Sequence, residues 1–174
     1  MQWVQLGYLL PLIIVGAGAI LLMLLSPLEK ITMERFSLFT SLILLLALGA
    51  DFYYFGKLFT AFPMQEIFSK MLIVDSYSVY FDAIILSGAL VTALIGTHYF
   101  QDKRHFKKEF FSLFLFSVFG MMFLVHANEL LTAFIALEIA SLALYVMIGF
   151  QKIHDKRVEA SYQYLVLGSI SGAF

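Results

Sequence analysis

Apolar residues in this chain do not alternate, and they do not form a narrow helical stripe. They come in long runs broken by short charged segments. A helix needs about 20 apolar residues to cross the hydrocarbon of a bilayer. The first run, residues 3–26, carries no charge and ends before Pro27, Glu29, Lys30, Glu34 and Arg35. A second covers 36–55, with Asp51 near its end. The outer loop 56–75 has lower hydropathy and apolar pairs too short to span, so a hairpin or interfacial segment is expected there. Further runs cover 76–100, 110–125 and 128–150, and a sixth starts near Val158 and is still apolar at Phe174. The pattern predicts an all-α polytopic membrane protein with six transmembrane helices. Asn128 is the expected N-cap of the fifth helix, with Glu129 in its first turn, and Asp155 that of the sixth.

Composition supports a bilayer as the solvent. Hydrophobic residues make up 61% of 174 residues and charged residues 13%, against roughly 45–50% and 25% in soluble domains. A net charge of −1 leaves no basic face for nucleic acid. Without cysteine there is no disulfide, zinc-thiolate site, iron–sulfur ligation or thiol nucleophile. The first run lacks a basic n-region, and its small residues Ala17-Gly18-Ala19 lie inside it, so it reads as an uncleaved anchor. Nine Lys and Arg fall in the segments after helices 1, 3 and 5, and only Lys57 and Lys70 on the other side. That asymmetry places the N-terminus outside. The sixth run has no closing charge or cap, so the chain reads as the N-terminal piece of a longer protein.

Among the intramembrane acids, Glu138 stands apart. It lies nine residues from Glu129 and twelve from Phe150, so about 14 Å below the outer edge at ~1.5 Å per residue. A charged side chain at that depth costs roughly 2.5–3.5 kcal/mol on insertion scales. A carboxyl held there trades between a neutral form favoured by desolvation and a charged form favoured by a nearby cation, which suits a proton carrier. The competing reading is a structural acid that only orders helices. Ala133, Ala136, Ala140 and Ala143 form a strip of small residues opposite Glu138, suited to close helix packing. Glu129 and His126 are candidates for a secondary proton path, although a helix-start charge and an interfacial turn residue account for them. Asp51, Asp82 and His98 sit near span ends, where capping or snorkelling explains them. Glu159 favours the start of the sixth helix, and Gly168-x-x-x-Gly172 is a common packing pattern. No shared histidine spacing for a metal and no phosphate-cradling loop appear.

The stretch Asn128-Glu129-Leu130-Leu131-Thr132-Ala133-Phe134-Ile135-Ala136-Leu137-Glu138-Ile139-Ala140-Ser141-Leu142 is followed by Val158-Glu159-Ala160-Ser161-Tyr162-Gln163-Tyr164 and Leu167-Gly168-Ser169. These residues resemble the antiporter-like membrane subunits of proton-pumping NADH:quinone oxidoreductase (respiratory complex I), most closely those of the bacterial subunit N type. The resemblance is strong over 105–174 and looser over 1–104. It implies about fourteen helices in the full chain and inverted five-helix repeats. Residues 1–104 are then N-terminal helices, and 105–174 begin the first repeat. It also implies that Glu138 is the key glutamate of the fifth helix, paired with a lysine beyond residue 174. Quinone chemistry elsewhere in the complex drives proton transfer here. Cofactors are expected in other subunits (FMN, iron–sulfur clusters and quinone) and none in this chain. The partners are neighbouring antiporter-like subunits and the lipid bilayer, and the location is the bacterial cell inner membrane. Gln163 stands where the family often has lysine. It can join a secondary proton path by holding water, but it supplies no positive charge. A multisubunit sodium/proton antiporter and a membrane scaffold remain the alternatives.

Overall fold

A computed structural model describes residues 7–27, 32–58, 65–101, 108–149 and 155–173. Its elements in chain order are α1 (Leu10–Leu25), α2 (Met33–Leu58), β1 (Gln65–Ile67), β2 (Leu72–Val74), α3 (Ser76–Gln101), α4 (Glu109–His126), α5 (Leu130–Ile148) and α6 (Asp155–Ala173). Helices are what a bilayer permits, because each satisfies its own backbone polar groups. Four of them, α2 to α5, are long and apolar enough to cross a membrane, and α1 is a shorter apolar helix of 16 residues. Pro11 lies in the first turn of α1, where its missing N–H is no loss. The side chain of His98, the side chain of Asp155, and the basic segments 102–107 and 151–154 lie outside the described residues.

The helices pack as sequential neighbours, and α1 also lies against α4. On α1 the inward positions are Leu12, Val15, Ala19 and Leu22, a helical spacing. They meet Phe36, Leu44 and Ala47 of α2, Leu86 and Ala89 of α3, and Leu115, Val118 and Met122 of α4 in one buried cluster. The outward faces are apolar too, with Leu24, Leu38, Leu45, Leu94 and Ile95 all exposed. Helices apolar all round belong in lipid or in a large core. Ser112 Oγ adds a buried hydrogen bond across the seam, donating to the Ala19 carbonyl at 2.9 Å.

The 56–75 loop contains the expected hairpin. β1 and β2 pair antiparallel, Glu66 opposite Ile73. Phe68, Ser69 and Lys70 in the turn all have positive φ (52°, 55° and 77°), a conformation that costs non-glycine residues energy. The hairpin is docked on the α4–α5 turn. Leu72 bridges Ala127, and the Asn128 N–H donates to the Met71 carbonyl at 3.0 Å. Asp75 then caps α3, its Oδ1 accepting from the Ser78 N–H at 2.8 Å. Ile67, Leu72 and Val74 close one end of the helical core.

Asn128 does not serve as the N-cap of α5, contrary to expectation. Glu129 holds that position with extended backbone (φ −135°, ψ 156°) and no side-chain capping bond. Asn128 Nδ2 instead donates to the Lys70 carbonyl at 2.8 Å. The hairpin competes for the asparagine and wins it.

Candidate functional site

Glu138 lies near the middle of α5, eight residues after Leu130 and ten before Ile148. At ~1.5 Å per residue it is about 12 Å from the helix start. Two contacts fix the way it faces. On one side of α5, Ala136 and Ala143 are buried, and Gly120 of α4 lies directly on the backbone of Ala140. A Cβ on Gly120 would fall 2.5 Å from Ala140 N. The alanine strip is therefore the α4 contact, and Glu138 is turned away from it.

Glu138 faces α6. A Cβ on Gly172 would stand 2.9 Å from Glu138 Oε1. Gly168, one turn earlier, lies under the Tyr145 hydroxyl. The Gly168-x-x-x-Gly172 pair thus makes room for two polar side-chain tips of α5, rather than for helix backbone. Ser161 Oγ donates to the Tyr145 carbonyl at 2.7 Å, and the Tyr145 and Tyr164 rings meet edge-on at 5.1 Å. Glu138 is half-buried in this seam, and its carboxylate has no hydrogen-bond partner among the described residues.

The remaining residues expected at the site do not gather around Glu138. Glu129 is exposed at the helix start and accepts from Thr132 Oγ1 at 3.1 Å. Gln163 is exposed on α6 and donates to Glu159 Oε1 at 3.3 Å. It precedes Gly172 by nine residues, about 13 Å along the helix.

His126 requires a correction. It is the last residue of α4, not part of an open turn, and is only 2% exposed. Its Nδ1 lies 2.9 Å from the Met122 carbonyl and its Nε2 3.5 Å from Asp82 Oδ2. Asp82 (2% exposed) and Asp51 (1%) need the same correction: neither is solvated at a span end. They lie seven and six residues inside their helices, within the packed bundle. Asp51 acts on Asp82 electrostatically, and Asp75 on His126. Asp51 Oδ2 and Asp82 Oδ1 are buried with no hydrogen-bond partner.

Comparison with known proteins places the chain among known relatives. Residues 127–174 match the family model described as NADH:quinone oxidoreductase/Mrp antiporter, TM. The F(420)H(2) dehydrogenase subunit N of Methanosarcina mazei is 34% identical over 97% of this chain and 35% of its own length. NADH-quinone oxidoreductase subunit N 1 of Solibacter usitatus is 31% identical over 95% of this chain and 33% of its own. The corresponding subunit N 1 of Herpetosiphon aurantiacus is 40% identical over 62% of this chain and 22% of its own. A chain of the membrane-bound sulfane sulfur reductase, an archaeal respiratory membrane complex, shares the fold with a TM-score of 0.82. That match has 18% identity and covers 97% of this chain and 35% of that one.

The chain belongs to the antiporter-like membrane subunits of the respiratory complex I type. Within that class it matches subunit N. It spans about a third of the length of the relatives that cover nearly all of it. Those relatives are subunits of oxidoreductase complexes that differ in the electron donor their names state.

Proposed function

We propose that this chain is part of a proton-translocating membrane subunit of an NADH:quinone oxidoreductase, with Glu138 as the proton carrier. The observation that carries the reading is the position of Glu138: mid-helix, half-buried, without a hydrogen-bond partner among the described residues, and faced by a glycine rather than a larger side chain. An intramembrane carboxyl so placed is a functional group by default. In this reading all six helices span the bacterial inner membrane with the N-terminus outside. Residues 1–104 precede the first antiporter-like repeat, and 105–174 begin it. A lysine elsewhere in the full subunit is the switching partner. The chain carries no redox centre; FMN, iron–sulfur clusters and quinone belong to other subunits. Glu129, His126 and Gln163 are secondary stations of the path, since none lies against Glu138.

Glu138→Gln tests this in the assembled complex. Quinone-reductase turnover and proton pumping should fall together, while assembly is retained. Unchanged pumping refutes the carrier role, and a defect in assembly alone supports the scaffold alternative. The family description also covers Mrp antiporters. That reading requires sodium-sensitive growth on deletion with normal NADH oxidation.

A further inference from the structure

At the hairpin end of the bundle, three buried titratable groups come from three different helices: Asp51 of α2, Asp82 of α3 and His126 of α4. No ion pair to a lysine or arginine satisfies either carboxyl among the side chains described. Both keep one buried oxygen with no hydrogen-bond partner among the described residues. A structural acid in a packed interior is normally hydrogen-bonded through its remaining lone pairs. These two are not.

The histidine geometry fixes where a proton can go. Met122 offers a carbonyl oxygen, which only accepts, so Nδ1 of His126 carries hydrogen and donates to it. Nε2 is left as the titrating nitrogen, and it points at Asp82 Oδ2 across 3.5 Å. One proton in that gap has two homes. On Asp82 it leaves a neutral acid facing a neutral imidazole. On Nε2 it leaves a carboxylate facing an imidazolium. Moving between them breaks one O–H bond and forms one N–H bond, with no change in net charge. Asp51, buried on α2, is the neighbouring acid and acts on Asp82 electrostatically. Unpaired carboxylates in one dry interior resist being ionised together.

We propose that Asp51, Asp82 and His126 form a second proton-binding site at the hairpin end of the bundle, on different helices from the Glu138 seam, with one proton shared between Asp82 Oδ2 and His126 Nε2. The charged groups facing it are Asp51 from α2 and Asp75 from the start of α3. The hairpin's own charges, Glu66 and Lys70, pair with each other at the exposed tip, 3.3 Å apart. The inference rests on the reading that the chain moves protons, but it does not need Glu138 to be the carrier.

Infrared difference spectra of the intact complex, recorded as quinone reduction is started, provide the test. The expected result is a protonated-carboxyl band that changes on turnover and shifts in deuterium oxide. Asp82→Asn should abolish it and His126→Gln should displace it. A merely structural acid gives no turnover-dependent change. Wild-type spectra from both Asp82→Asn and His126→Gln would overturn the site. Should Asp82→Asn fail to assemble, Asp51→Asn with His126→Gln decides the matter by the same band. Loss of pumping in Glu138→Gln with no Asp82-dependent band refutes this site and leaves the carrier standing. The reverse pattern refutes the carrier and leaves this site.

Discussion

The approach of Gly120 on α4 to the backbone of Ala140 on α5 is a point where a single methyl group should separate two helices. Gly120→Ala adds a Cβ that meets Ala140 N at 2.5 Å and Ala140 Cα and Cβ at 2.8 Å. Ordinary van der Waals contact begins at 3.4 Å, so the helices must part by about 0.9 Å at the crossing. Neither neighbour is the flexible end of a side chain, so nothing local can yield. A gap of 0.5–1 Å forfeits a quarter to a half of each atom-pair attraction of ~0.1–0.2 kcal/mol. Spread over roughly 30 atom pairs at a helix crossing, that is about 1–2 kcal/mol, within the usual range for an overpacked site. In lipid the loss is not recovered by a hydrophobic term, because packing is what holds the helices together. Gly88 is the control: a Cβ there meets nothing within 4 Å. Gly88→Ala should be neutral, or gain up to ~1 kcal/mol from helix propensity. Thermal unfolding of the purified complex in detergent, followed by loss of intact subunit, measures both. Gly120→Ala should melt several degrees below wild type and Gly88→Ala at or above it. Coincident melting of the two variants would refute the close contact.

Ser112→Ala removes the buried donor to the Ala19 carbonyl across α1 and α4. The expected cost is about 0.6 kcal/mol, typical of interhelical hydrogen bonds in membranes, so its melting point should lie between those of Gly120→Ala and wild type. A loss larger than that of Gly120→Ala would mean the hydroxyl has a further role. Asn128→Ala frees the Lys70 carbonyl and should weaken hairpin docking by roughly 0.5–1.5 kcal/mol. Hydrogen exchange should quicken in residues 65–74 while the first turn of α5 keeps its protection. Fraying of α5 instead would restore Asn128 to the role of helix cap.

The order of the helices was legible because the bilayer leaves the chain few options. Apolar runs give depth and length directly, and the alanine spacing on α5 showed correctly which side meets a neighbour. Hydropathy does not show which way an isolated polar residue faces. Asp51 and Asp82 lie in runs whose ends are charged or polar, so position in the sequence suggested solvated ends. α2 extends past its run, to Leu58, and Asp82 is six residues past Ser76, where its run and α3 both begin. Both acids are therefore about 9–10 Å inside their helices. Lysine and arginine have stems long enough to reach back to an interface from such depth; an aspartate has one methylene. The missed signal was that arithmetic. What the sequence did not carry at all was the docking of the hairpin on the α4–α5 turn, a contact between segments more than fifty residues apart. That contact diverts Asn128 from the cap of α5.

The two polar sites occupy mechanically different parts of the fold. Asp51, Asp82 and His126 lie among α2, α3 and α4, the helices that share the continuous buried cluster with α1 and the hairpin. Side chains there are fixed by neighbours on several sides, and only a proton can move without disturbing the packing. Glu138 lies outside that cluster, in the α5–α6 seam, where Gly172 leaves space at its tip and much of α6 is exposed. Its carboxyl meets a glycine rather than a larger side chain. A rigid site suits holding a proton at a fixed place, and a loose one suits handing it on. Glycine is used accordingly: Gly120 brings two backbones together beside the alanine strip, whereas Gly168 and Gly172 clear space over polar tips. Residue type alone does not distinguish these uses. The partner atom does, and it is backbone in the first case and side-chain oxygen in the other two.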